Sequence, residues 1–216
     1  MKKEIKLDVY SSKEELANSL THALGIVTGI IAMAYVLIKS EAQGSILWSV
    51  ATFLATVIIL YSSSTLYHSV KTRKQKFLFK QLDHISIYLL IAGTFTPFCW
   101  GVLGDTPLGQ RLLLAVWGIA LLGIIFKVFF TGKLEFISLA SYLGMGWLGF
   151  LMFDELGEIL SPRVVHLMLY GGLSYTLGVV FYLMRKMKYH HAVWHLFVLG
   201  GTGFHMYAIL KYVLPF

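Results

Sequence analysis

A single cysteine, Cys99, occurs in the chain, inside an apolar segment. No internal disulfide can form and a cysteine-based zinc cluster is excluded. Any metal site must therefore be built from His, Asp, Glu or Ser. Charge is scarce too. Only 13% of the 216 residues are charged, against about 25% in an ordinary soluble domain. No polar stretch is long enough to form a second domain. The segment Met1 to Glu15 lacks the short apolar core and small-residue cleavage site of a signal peptide. The first apolar segment is therefore expected to be retained as a membrane span.

What is present is apolar. Hydrophobic residues make up 57% of the chain, and the mean hydropathy is +0.72. This is the composition of a multi-pass membrane protein. The net charge of +7 comes from short basic clusters between apolar runs. Such clusters suit anionic lipid headgroups and topology control. No interleaving of basic and aromatic residues points to nucleic acid.

Seven spans can be drawn: Leu20 to Ile38, Ile46 to Tyr67, Leu82 to Trp100, Leu112 to Phe130, a fifth that follows a tight turn at Thr131 to Glu135 and runs to Phe153, Val164 to Met184, and His191 to Val213. Each is long enough for a hydrocarbon core of about 30 Å at 1.5 Å per residue. Ser12 to Glu15 fits a capping box that would start a helix near Ser12. Pro97 should kink or end the third span. Asp154, Glu155 and Glu158 read as an acidic loop.

Fourteen of the eighteen Lys and Arg residues fall on one side. They are Lys2, Lys3, Lys6 and Lys13; Lys71, Arg73, Lys74, Lys76 and Lys80; Lys127 and Lys133; and Arg185, Lys186 and Lys188. The positive-inside rule then predicts an all-α seven-transmembrane bundle with its N-terminus cytoplasmic and its C-terminus outside. Residues 1–14 are expected to be a cytoplasmic tail and 15–216 the membrane domain. The plasma membrane is the expected location.

Topology gives each polar residue a depth. His68 ends the second span, Asp83 starts the third, and His191 and His195 start the seventh, all on the cytoplasmic side. His191 and His195 lie one turn apart on one helix face, and so do Ser64 and His68. These five residues converge if spans two, three and seven are neighbours. Three imidazoles around a metal leave one position open for a water. The metal would lower the pKa of that water to about 7. Asp83 would act as general base or orient the water or a ligand. Ser64 would hydrogen-bond the water or a carbonyl oxygen.

Other histidines read differently. His190 is taken as interfacial. So is His84, which points about 100° away from Asp83 on a helix. His166 lies at the outer end of its span. His205 is about 15 Å deeper than His195, too far to share a metal, so an internal hydrogen bond is expected.

Four motifs appear in order: Glu15-x-x-Asn18-x-x-Thr21-His22, Ser64-x-x-x-His68, Asp83 opening a span that ends Gly93-Thr94-Phe95-Thr96-Pro97, and His191-x-x-x-His195. Together, from about Glu15 to the C-terminus, they resemble the bacterial hemolysin III family, which is related to the progestin and adipoQ receptors and to alkaline ceramidases. The resemblance implies zinc at the cytoplasmic side of the bundle, held by His68, His191 and His195. Residues 15–216 would then be a zinc-binding domain. It places Ser64 and Asp83 beside the zinc-bound water, and makes Glu15, Asn18 and His22 structural or supporting residues near the same face.

The expected function is a zinc-dependent intramembrane hydrolase, ceramidase-like, that cleaves an amide or ester bond of a lipid with zinc-activated water as nucleophile. Membrane lipids and a lipid-like substrate are the expected partners. The alternative is a non-catalytic regulator of membrane-lipid homeostasis, or a receptor-like sensor, with a structural zinc site. A pore-forming hemolysin fits less well, because a secreted toxin should be soluble before insertion and this chain is apolar throughout. A transporter would call for a buried chain of acidic and basic residues crossing the spans, and none is present.

Overall fold

The computed structural model describes residues 9–214. Residues 1–8, which include Lys2, Lys3 and Lys6 of the expected tail, lie outside the described residues. No strand occurs among the described residues. The chain runs α1 (Ser12–Lys39), α2 (Gly44–Ser69), α3 (Arg73–Thr96), α4 (Pro107–Phe130), α5 (Glu135–Trp147), α6 (Phe153–Ile159), α7 (Pro162–Leu183) and α8 (His190–Tyr212). With α5, a 3-10 turn at Leu148–Met152 and α6 taken as one span, seven helices are long and apolar enough to cross a membrane. The protein is an all-helical, multi-pass membrane protein.

Local chemistry explains most boundaries. Pro97 lacks the N–H that an α-helix needs. So α3 ends at Thr96, and a π-helical turn, Pro97–Val102, follows it. Pro107 and Pro162 sit at helix starts, where a missing N–H costs nothing. The capping box that opens α1 lies one residue earlier than the sequence pattern suggested. Ser11, not Ser12, is the N-cap and pairs with Glu14. Glu15 is thereby released from capping and turns inward. The acidic segment is also not a loop. Asp154 and Glu155 form the first turn of α6, where carboxylates favour the positive end of the helix dipole.

An apolar core that includes Phe53, Leu54, Val57 and Phe95 fills the bundle, and a polar cluster is set into it while apolar side chains also cover the outside. Leu114 is 75% exposed and Phe136 82% exposed, as lipid-facing side chains should be. The interior holds Asn18, His22, Ser64, His68, Asp83, His191, His195 and Thr202, all buried. Long contacts join α2 to α3, α1 to α2, and α7 to α8, and α1 also reaches α8. Neighbours therefore run α4–α3–α2–α1–α8–α7. α5 touches α3, α4 and α7 at few points and closes the ring loosely.

Small residues permit the close crossings, as expected where lipid offers no hydrophobic gain. A Cβ on Gly25 of α1 would sit 2.4 Å from the Tyr61 ring of α2. Tyr61 in turn donates to Thr202 Oγ1 of α8 at 2.7 Å. Spans two and seven are thus locked together one level beneath the polar cluster.

Candidate metal centre

α2 delivers His68 from its last turn, and α8 delivers His191 and His195 from its first two turns. The three rings meet. Their centroids are 4.9 Å (His68–His191), 5.3 Å (His68–His195) and 4.6 Å (His191–His195) apart. One ligand atom from each lies within 4.8 Å of the others, so the group could hold a metal ion. All three residues are buried.

Each ring is oriented from behind through Nδ1. His68 Nδ1–H donates to Glu15 Oε2 at 2.6 Å, and the other carboxylate oxygen takes Lys76 of α3. His195 Nδ1–H donates to the Asn18 carbonyl at 3.0 Å, with Thr21 Oγ1 at 3.1 Å. His191 Nδ1 and the Tyr10 hydroxyl bond at 3.0 Å. A backing partner on Nδ1 fixes the tautomer and leaves Nε2 as the basic nitrogen. The Nε2 atoms of His191 and His195 are buried and make no hydrogen bond among the described residues. Burying such acceptors unsatisfied costs free energy, so the donor set fits a cation that takes up their lone pairs.

The remaining candidates fall around this group. Asn18 brings its amide within 3.4 Å of His68 Nδ1. His22 stacks on the His195 ring, with centroids 3.4 Å apart, and meets the Tyr61 ring edge-on. Ser64 is fully buried, and its Oγ has no hydrogen-bond partner among the described residues. Asp83 is buried but is not a member of the three-histidine group. It lines a cavity of about 160 Å³ together with His22 and His191. That cavity runs between α3, α5, α7 and α8, past Ile87, Leu143 and Trp194 to His205.

Some residues escaped the sequence reading. Tyr10 lies in the segment read as a solvated tail, yet it packs against the rings of His68, His190 and His191. Thr21 stood within a quoted motif without a role. Two interfacial readings also change. His190 is buried, and His84 lines the cavity. His205 makes the expected internal bond, donating Nε2–H to the Met168 carbonyl at 3.1 Å.

Residues 10–206 match the family model described as "Haemolysin-III related". The chain belongs to the haemolysin-III related family. The family match starts at Tyr10, the residue that hydrogen-bonds His191. Within the family, the chain is 41% identical over 207 residues to the "Hemolysin-3 homolog" of Bacillus subtilis (strain 168), covering 94% of this chain and 96% of the relative. It is 42% identical over 205 residues to "Hemolysin-3" of Bacillus cereus, covering 94% and 93%. The "Monocyte to macrophage differentiation factor" of Homo sapiens is 30% identical over 209 residues, covering 93% of this chain and 84% of that protein.

Proposed function

We propose that this membrane protein is a zinc-dependent hydrolase that cleaves an amide or ester bond of a lipid within the bilayer. The observation that carries the proposal is a three-imidazole group beside an apolar cavity whose wall includes Asp83. Three histidine nitrogens with a further coordination position suit zinc in a catalytic rather than a structural role. A bound zinc would supply Lewis acidity and lower the pKa of a water it holds to about 7.

The chain's own residues supply the rest. Glu15, Asn18 and Tyr10 hold the three rings in place through their Nδ1 atoms. Asp83, at the cavity wall, takes a proton from the nucleophile and returns it to the leaving group. Ser64 Oγ has no partner to give up and donates to the oxygen that becomes negative. The apolar stretch lined by Ile87, Leu90, Ile91 and Leu143 accepts the acyl chain and excludes water. Loose closure by α5 offers a sideways entrance from the bilayer. The excess of Lys and Arg beside this group supports a position at the cytoplasmic face of the plasma membrane, with the N-terminus inside and the C-terminus outside.

A second reading is a non-catalytic sensor or regulator of membrane lipids with a structural zinc. The clamp on all three Nδ1 atoms favours it, since a structural site gains most from rigid ligands. Metal analysis combined with hydrolysis assays on ceramides and phospholipids separates the two. The enzyme reading expects turnover by the wild type that is lost in His191→Ala and Asp83→Ala. Bound zinc and bound lipid without turnover of any substrate would favour the sensor.

A further inference from the structure

The cavity has a second polar feature that the hydrolytic reading does not use. Lys127, in the last turn of α4, is 1% exposed and lines the cavity wall. Lysine is almost never buried unless paired. No hydrogen bond or ion pair to its ammonium occurs among the described residues. Its charged neighbours are Glu135 and Lys80, but Glu135 is committed elsewhere. Glu135 Oε2 takes Arg185 at 2.5 Å, and Oε1 faces Lys80 at 4.0 Å. Ser138, one turn along α5 from Glu135, is also buried and lines the same cavity. Its Oγ makes no hydrogen bond among the described residues. The helix dipole favours a cation at the end of α4, but it does not explain an enclosed ammonium in a cavity whose wall also holds an unused hydroxyl.

The position is built rather than accidental. Gln81 of α3 donates to the carbonyls of Lys127 and Val128 at 3.3 and 3.0 Å, tying the end of α4 to α3. One turn earlier, Gly123 lies where a Cβ would come within 2.3 Å of the Tyr88 ring. The close crossing brings Lys127 up against α3 and into the cavity wall.

We propose that Lys127 and Ser138 form an oxyanion subsite, so that the cavity takes an amphiphile with a phosphate or carboxylate in its polar head. A lysine ammonium offers a compact charge with three donors, which suits phosphate oxygens. Ser138 adds a neutral donor. The subsite rests on the reading that the cavity admits a lipid, and it selects among lipids by head-group charge.

Calorimetric titration of the full-length protein in neutral detergent tests it with three probes: dihexanoyl phosphatidic acid, dihexanoylglycerol and inorganic phosphate. The phosphatidic acid should bind at least about tenfold more tightly than the diacylglycerol, the effect of one charge-assisted contact. Lys127→Met should remove that preference while leaving diacylglycerol affinity, metal content and thermal unfolding unchanged. Lys127→Arg should restore most of the preference, and Ser138→Ala should lower it by a smaller factor. Inorganic phosphate that binds alone with the same dependence on Lys127 supports the subsite and assigns its source to a free anion. Equal affinity for the two lipids, or no effect of Lys127→Met, overturns the subsite and leaves the lipid cavity standing. Binding of neither lipid nor phosphate overturns the subsite and the cavity reading together.

Discussion

The three imidazoles owe their orientation to neighbours that bond them from behind, at Nδ1. Glu15 bridges His68 and Lys76, the carboxylate–histidine pairing that fixes a ligand tautomer. Glu15→Gln should therefore weaken zinc affinity by about 10–100-fold with the bundle intact, as read by competition with a fluorescent chelator. Unchanged affinity would show that the carboxylate serves only the fold. Tyr10→Phe should weaken zinc in the same direction by a smaller factor, since it removes one neutral hydrogen bond to His191. At this scale the sequence carried much of the site. His191 and His195 at i and i+4, and Ser64 and His68 likewise, must share helix faces whatever the tertiary fold. Tyr10 was not legible, because its partner lies 181 residues away and no local pattern links them. The burial of Lys127 was not legible for a related reason. Counted among the basic residues of the cytoplasmic side, it is also enclosed by helices whose crossing angles no period of hydrophobicity encodes.

Helix packing sets the level of support beneath the centre. Gly25→Leu would drive a side chain into the Tyr61 ring and cost about 1–3 kcal/mol, read as a lower unfolding temperature in detergent. Zinc should be lost at the same temperature as helicity, because Tyr61 also anchors Thr202 of α8. A variant as stable as the wild type would contradict the packing. α5 has sparse contacts, and sparsely packed elements open first. Amide exchange in a lipid nanodisc should accordingly be faster over 135–147 than over 190–212. Equal protection would argue against a lateral entrance through α5. The span count was readable from hydropathy alone, and Pro97 marked the end of α3. The break in the fifth span at Leu148–Met152 had no such marker. Without a proline or a polar run, that segment looked like continuous helix.

The whole molecule carries a buried polar cluster inside an apolar core and shows leucines to the outside as well. The orientation of that cluster in the membrane is testable. Cys99 is buried, so a cysteine introduced at an exposed position reports its own side. Lys188→Cys should react with an impermeant maleimide only from the cytoplasmic face, and Arg163→Cys only from the outer face. The reverse pattern would overturn the assignment made from basic residues. Fold class was legible at this scale because composition and span length decide it. Which helices are neighbours was not, and the meeting of α1, α2 and α8 comes from packing alone. The central claim is that His68, His191 and His195 hold one zinc ion. Its most direct test is zinc K-edge X-ray absorption on protein purified without added metal. The account predicts about one zinc per chain, ligated by three imidazole nitrogens at about 2.0 Å and absent from His191→Ala. A metal-free wild type, or zinc retained with the same ligand shell in His191→Ala, would contradict it.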